Sequence, residues 1–205
     1  MQFGFRAKAL TLAELNAIVN PAAANQPEVV PALLYSTRTY PAAGVALLNF
    51  FDGGTADQTL DNVANNQLPA PQFFREWQWF CDFLTRLSTS ATTAGRLDDI
   101  GAVLNIARGL LIHQISQKDY LQVPLRALGA IGGPFGQLSS TVAAVSQQNA
   151  TNGLPGWSPF HVNGMIVIPP QTNFTARVQF VPAIAVTADL PIALEIYGEL
   201  YRRVL

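Results

Sequence analysis

Charge is what this chain has least of. Asp, Glu, Lys and Arg make up 12% of its 205 residues, against roughly 25% in ordinary soluble domains. Thirteen acids nearly balance twelve bases, for a formal net charge of −1, so the basic excess of a domain built chiefly to grip nucleic acid is missing. A surface this poor in charge gives little protection against association. Two readings follow: the chain sits in a membrane, or partners cover much of its surface. Long apolar runs are also missing. A spanning helix needs about 20 consecutive apolar residues, and the nearest approaches, residues 43–51 and 165–170, fall far short. The opening Met-Gln-Phe-Gly-Phe-Arg-Ala-Lys lacks the apolar core of a secretion signal. A single cysteine, Cys81, excludes an internal disulfide and a Cys-based zinc site. The expectation is a soluble chain that lives inside an assembly.

What is present is apolar material, 49% of the chain, enough for a full core in one domain. Thr11 and Glu14 stand at capping-box spacing, with Leu12, Leu15, Ile18 and Val19 on one face, which predicts a short helix. Asn20-Pro21 ends it, and an extended connector runs to Pro31. Punctuation by Pro and Gly then predicts strands at residues 32–40 and 43–51, the second closed by Asp52-Gly53-Gly54. In residues 72–84, Trp77, Trp79, Cys81 and Phe83 alternate with Gln78, Phe80 and Asp82, which predicts a strand with one apolar and one mixed face. A stripe of Leu97, Ile100, Val103, Leu104 and Ala107 predicts a second helix, with Asp98-Asp99 in its first turn. Further strands are predicted at residues 110–116, 120–125, 162–168, 173–181 and 191–201. About eight strands and two short helices give an all-β fold, an antiparallel single jelly-roll sandwich or barrel. Residues 1–31 form an N-terminal helix and arm on this reading, and residues 32–205 the jelly-roll domain.

Residues 127–176 contain no Asp, Glu, Lys or Arg. Gly, Pro, Asn, Ser and Gln break the run throughout, so it is no membrane segment; an uncharged excursion suits a segment laid against a neighbouring subunit, with a flexible loop as the alternative. Short motifs then line up: Arg38-Thr39-Tyr40, a strand ending Phe50-Phe51, Asn65-Asn66-Gln67-Leu68-Pro69-Ala70-Pro71-Gln72-Phe73, Ile166-Val167-Ile168-Pro169-Pro170-Gln171-Thr172-Asn173-Phe174, and the closing Tyr197-Gly198-Glu199-Leu200-Tyr201-Arg202-Arg203-Val204-Leu205. The order resembles that of the jelly-roll coat proteins of tailless icosahedral bacteriophages, departing at Tyr197-Gly198 from their commoner Asp-Gly pair. The resemblance implies a virion structural protein, a capsid subunit that assembles with itself in symmetric rings within an icosahedral shell. It would contact other virion proteins, with the packaged genome or an internal membrane as further candidate partners, and would pass through the host cytoplasm during assembly. On this reading residues 11–31 and the uncharged run are inter-subunit arms. Leu15, Phe80, Phe135, Trp157 and Phe160 are the candidate interface residues. Arg6, Lys8, Arg202 and Arg203 are candidates for contact with packaged nucleic acid, solvated or salt-bridged arginines being the alternative.

No catalytic constellation, metal site or cofactor motif stands out, so no enzyme is expected, and no small-molecule substrate. His113 and His161 each lack a second ligand at metal-binding spacing, and His113 reads as a strand residue with a satisfied hydrogen bond. Asp98 and Asp99 point about 100° apart on a helix and suit its dipole rather than paired-carboxylate hydrolysis. Cys81 reads as a buried small hydrophobe. Gly129, Gly132, Gly133 and Gly136 lack the Lys-Ser/Thr of a phosphate loop. The competing functional class is a jelly-roll carbohydrate-binding module, with Trp157 and Tyr120 stacking on sugar rings; it predicts a monomer that binds glycans.

Overall fold

The computed structural model describes residues 28–53, 60–84, 95–128, 134–135, 138–140, 146–148, 151–152 and 160–202. Strands β1 (Glu28–Tyr40), β2 (Leu47–Phe50) and β3 (Phe73–Phe83) precede helix α1 (Gly95–Asn105), which leads into β4 (Leu110–Ile115) and β5 (Lys118–Pro124). Four short strands follow, β6 (Pro134–Phe135), β7 (Leu138–Ser140), β8 (Ser146–Gln148) and β9 (Thr151–Asn152). The chain then forms β10 (His161–Ile168), β11 (Phe174–Gln179) and β12 (Leu190–Arg202). One four-stranded sheet has the order β1-β12-β3-β10 and the other β2-β11-β4-β5, with every pairing antiparallel. Leaving aside the short strands, which pair as β6–β9 and β7–β8, the first strand pairs with the last, the second with the seventh, the third with the sixth and the fourth with the fifth. A long hairpin rolled into two facing sheets in this way is a jelly roll.

Alternation in sequence becomes burial. Phe174, Ala176, Val178 and Phe180 from the β11 segment and Ile192, Leu194 and Ile196 from β12 all reach the core between the sheets. Each of the Phe, Val, Ile and Leu side chains among them contributes about 1.5–3 kcal/mol of burial. On α1, Ile100 and Val103 join the same core, followed by Ala107 just beyond the helix, and Leu104 packs against it. Asp99 does more than face the helix dipole: its carboxylate accepts the Thr187 amide at 3.0 Å and the Thr187 hydroxyl, tying α1 to the loop before β12.

Two boundaries differ from the sequence reading. β1 begins at Glu28 and runs through Pro31, four residues earlier than expected. β2 is only Leu47–Phe50, not the longer strand expected over 43–51. Residues 41–44 are spent on a turn closed by the Gly44 amide on the Pro41 carbonyl at 2.8 Å. Gly44 has φ +82°, and a Cβ there would lie 2.4 Å from the Ile184 oxygen, so no extended strand can pass this point.

A third difference lies within β3. Opposite β12, Tyr197 pairs with Gln78 but Gly198 pairs with Glu76, so Trp77 is an extra residue, a β-bulge that reverses the alternation. Trp79 and Cys81 face the core as expected, but before the bulge it is Phe74 and Glu76 that do. Trp77, expected on the apolar face, sits half-buried at the bulge with Arg75 5.3 Å from its ring centre. Gly198 meets this bulge directly: a Cβ would fall 2.1 Å from the Arg75 carbonyl oxygen and 2.6 Å from the Phe74 ring. The glycine in the closing motif thus lets two backbones approach.

Candidate functional site

Glu76 and His113 are the buried ionisable pair of the core, both side chains fully enclosed. Glu76 Oε2 accepts the Trp79 indole N–H at 2.7 Å, and Oε1 lies 2.8 Å from His113 Nε2. The other ring nitrogen, Nδ1, is 3.0 Å from the Thr175 carbonyl oxygen. A carbonyl only accepts, so Nδ1 carries a proton. One further proton lies between Nε2 and Oε1, and on either atom it leaves the pair with no net charge. Every polar group is satisfied, as burial demands. Glu76 and Trp79 come from one sheet and His113 and Thr175 from the other, so the network bolts the sandwich together. With no opening to solvent it offers no substrate a way in. His113 is the hydrogen-bonded strand residue expected; Glu76 was not singled out, although an acid inside an aromatic strand opposite a His in an apolar one was the available signal.

The outer face of the first sheet carries a second group. Ala193 lies opposite Asp82 and Glu195 opposite Phe80. Burial, with Asp82 adding to it, pushes the Glu195 carboxyl above its ordinary value. The Cys81 thiol, facing the core, is pushed far up by burial first and the Asp82 and Glu195 carboxylates second, which makes it the inert small hydrophobe expected. Phe73 stacks on Tyr201 with ring centres 4.3 Å apart.

Among the described residues one flank of that sheet is only partly covered, and its charges pair within the chain, Arg38 with Asp52 and Asp61 and Arg202 with Glu28. β1 is an edge strand, and residues 60–62 cover only part of it. Thr37 donates to the Leu60 carbonyl, the Asn62 amide to Tyr35, Tyr35 to Asn62 Oδ1, and the Asn62 side chain to Leu33. Residues 33, 35 and 37 therefore aim their backbone groups away from β12, and by the period of two so do Val29 and Pro31, which have no such cover from residues 60–62. Pro31 removes one donor from this stretch. On the outer face here Val29, Leu33 and Tyr197 are 38–45% exposed, and Leu33 and Tyr197 are cross-strand partners. Beside them lies a cleft of about 570 Å³ with the amides Asn62, Asn65, Gln67, Gln72 and Gln171 over Leu34, Leu68 and Leu200, and no charged side chain in its lining. At the other sheet, Ile106 and Val181 are 59% and 72% exposed and adjoin through the Val181 amide on the Ala107 carbonyl at 2.9 Å.

Of the interface residues expected from sequence, Phe80 does lie on an outer face, but at 7% exposure it offers a partner little surface. Phe160 is half-buried against the core. Phe135 is in β6, whose backbone pairs with β9, while Leu15 and Trp157 lie outside the described residues. Arg202 Nε is 2.6 Å from Glu28 Oε2, so its charge is matched within the chain. Arg6, Lys8 and Arg203 lie outside the described residues. Tyr120, named for sugar stacking, packs against the core with Lys118 5.3 Å from its ring centre. Among the described residues no helix is long and apolar enough to cross a membrane. Comparison with protein-family models, curated proteins and solved structures returns no match.

Proposed function

We propose that the chain is a structural subunit of a virion shell that assembles with itself and with other virion proteins. The observation that carries this reading is exposed apolar side chains at separate places, among them Val29, Leu33 and Tyr197 on the first sheet and Ile106 and Val181 beside the second, with Leu47, Leu60 and Leu84 exposed besides. Two unlike patches on one molecule favour head-to-tail contacts, which close into rings when the rotation allows. The amide-lined cleft and the partly uncovered edge of β1 add hydrogen-bonding groups suited to an extended neighbouring segment. The jelly roll hosts capsid and lectin domains alike, so the wrap alone does not choose between them; low charge together with apolar patches favours assembly.

Light scattering with negative-stain microscopy tests this directly. The wild-type chain is expected as rings or closed shells. The double substitution Leu33→Asp with Tyr197→Asp is expected to run as a folded monomer of 22.1 kDa. A wild-type monomer that persists at high concentration would sink the proposal.

A further inference from the structure

A cavity of about 400 Å³ opens between the end of α1 and the start of β4, lined by Leu104, Asn105, Arg108, Leu110, Pro124 and Arg126, with Gly109 between. Among the described residues its lining includes two arginines and no acidic residue. Leu110 and Pro124 are cross-strand partners, and the core positions of their neighbours Leu111 and Val123 place them on the outer face of the second sheet.

The two arginines differ from three others whose charge is matched within the chain. Arg38 is held by Asp52 and Asp61, Arg75 faces Glu199, and Arg202 is held by Glu28. Arg108 and Arg126 are exposed and have no ion pair or hydrogen bond among the described residues. Arg177 lies opposite Ile112 in the ladder, one diagonal step of about 7–8 Å from Leu110, and its buried Nε has no acceptor. A third cation without a carboxylate therefore borders the same patch. Arg108 follows a helix C-terminus, which favours a cation, but that field leaves its N–H donors unused. The Ala107 and Gly109 carbonyls already accept the Val181 and Leu125 amides, so these two do not draw on the arginine donors.

We infer that this cavity binds a nucleotide unit of single-stranded nucleic acid. The phosphate would be held by the forked donors of Arg108 and Arg126, whose planar geometry matches phosphate oxygens. The apolar wall of Leu104, Leu110 and Pro124 takes the sugar and one face of the base, and the Asn105 amide presents both a donor and an acceptor to the base edge. Volume agrees, since cavities that enclose small ligands start near 300 Å³. A single strand can turn one unit into such a concavity, whereas a duplex keeps its bases paired and stacked. Among the described residues no aromatic lines the cavity, so phosphate contact dominates and binding is strongly salt-dependent. The inference does not rest on the shell proposal: a monomeric chain that binds would keep this site and lose that reading, and a shell-forming chain that does not bind would do the reverse.

The test is fluorescence anisotropy with a labelled single-stranded oligonucleotide of about twelve nucleotides, titrated at ~50 and ~200 mM salt. Binding by the wild type is expected to weaken with salt. The variant carrying Arg108→Gln and Arg126→Gln is expected to bind at least about tenfold more weakly, and its salt slope to flatten by about 0.7, the share of one phosphate contact on a single strand. Arg126→Glu alone serves as a second variant if the double substitution disturbs folding. No binding by the wild type, or variants with unchanged affinity and slope, would overturn the inference. Competition by inorganic phosphate as effective as that by a mononucleotide would also overturn it, reducing the cavity to a plain anion site.

Discussion

At the scale of single residues, the proton logic of the Glu76–His113 pair makes a sharp distinction between two substitutions. Nδ1 of His113 must donate to the Thr175 carbonyl, so Nε2 is free to accept if its partner offers an N–H. Glu76→Gln supplies that N–H and still presents an oxygen to the Trp79 indole, so both contacts are kept and only the second amide N–H lacks an acceptor. It is expected to cost under about 1 kcal/mol, in the range of a single net hydrogen bond. His113→Leu instead strands a buried carboxylate, with only the Trp79 N–H left to it, and should cost about 3–5 kcal/mol. Urea unfolding followed by tryptophan fluorescence measures both. Equal losses for the two variants would show that the pair depends on charge rather than on hydrogen-bond complementarity.

Pairing between strands creates effects that neither strand contains alone. Glu195 on β12 faces Phe80 across the β3 ladder and Tyr35 across the β1 ladder, with Asp82 diagonal to it. Burial and then Asp82 raise its carboxyl above the ordinary value, so the fold disfavours the ionised form. The stabilising contribution of the protonated group is complete below the unfolded value, about 4.3, and is lost as pH rises through the higher folded value. Glu195→Gln cannot ionise and is expected to be more stable than wild type at pH 7, with the gap closing at about pH 4. A constant gap across that range would mean that packing, not ionisation, sets the difference. The same dependence on pairing limited what the sequence could reveal. Phe174, Ala176, Val178 and Phe180 announced their face because β11 alternates without interruption. Trp77 did not, because a bulge is defined by the two residues it places opposite one on β12. Glu76 lies in the sequence phase of Gln78, Phe80 and Asp82, and only the shift in alternation places it against His113. Arg108 and Arg126, eighteen residues apart in the chain, share a cavity only because the β4–β5 hairpin returns the chain to the end of α1.

For the whole molecule, the jelly roll separates what holds the fold from what is free to serve assembly. β12 lies between β1 and β3 at the centre of its sheet, so the last long strand completes a sheet begun by the first. By contrast, the described residues of the connection from β5 to β10 add no strand to either four-stranded sheet; among them β6 pairs with β9 and β7 with β8. Residues 161–168 and 174–176 of the uncharged run belong to β10 and β11 in the sandwich rather than to an arm, which leaves residues 127–160 as the part that could serve between subunits. Replacing residues 129–159 with a Gly/Ser linker of about ten residues leaves a reach of about 30 Å, ample for sheets packed roughly 10 Å apart. The sandwich core formed by Trp79, His113, Phe174 and Ile196 is untouched, so the urea midpoint should stay close to that of the wild type. If the run is the arm, the shortened chain is expected to stay monomeric in light scattering under conditions where the wild type assembles. Rings or shells from the shortened chain would remove the run from the assembly surface and leave the β1–β12 flank and the Ile106–Val181 patch as its contacts.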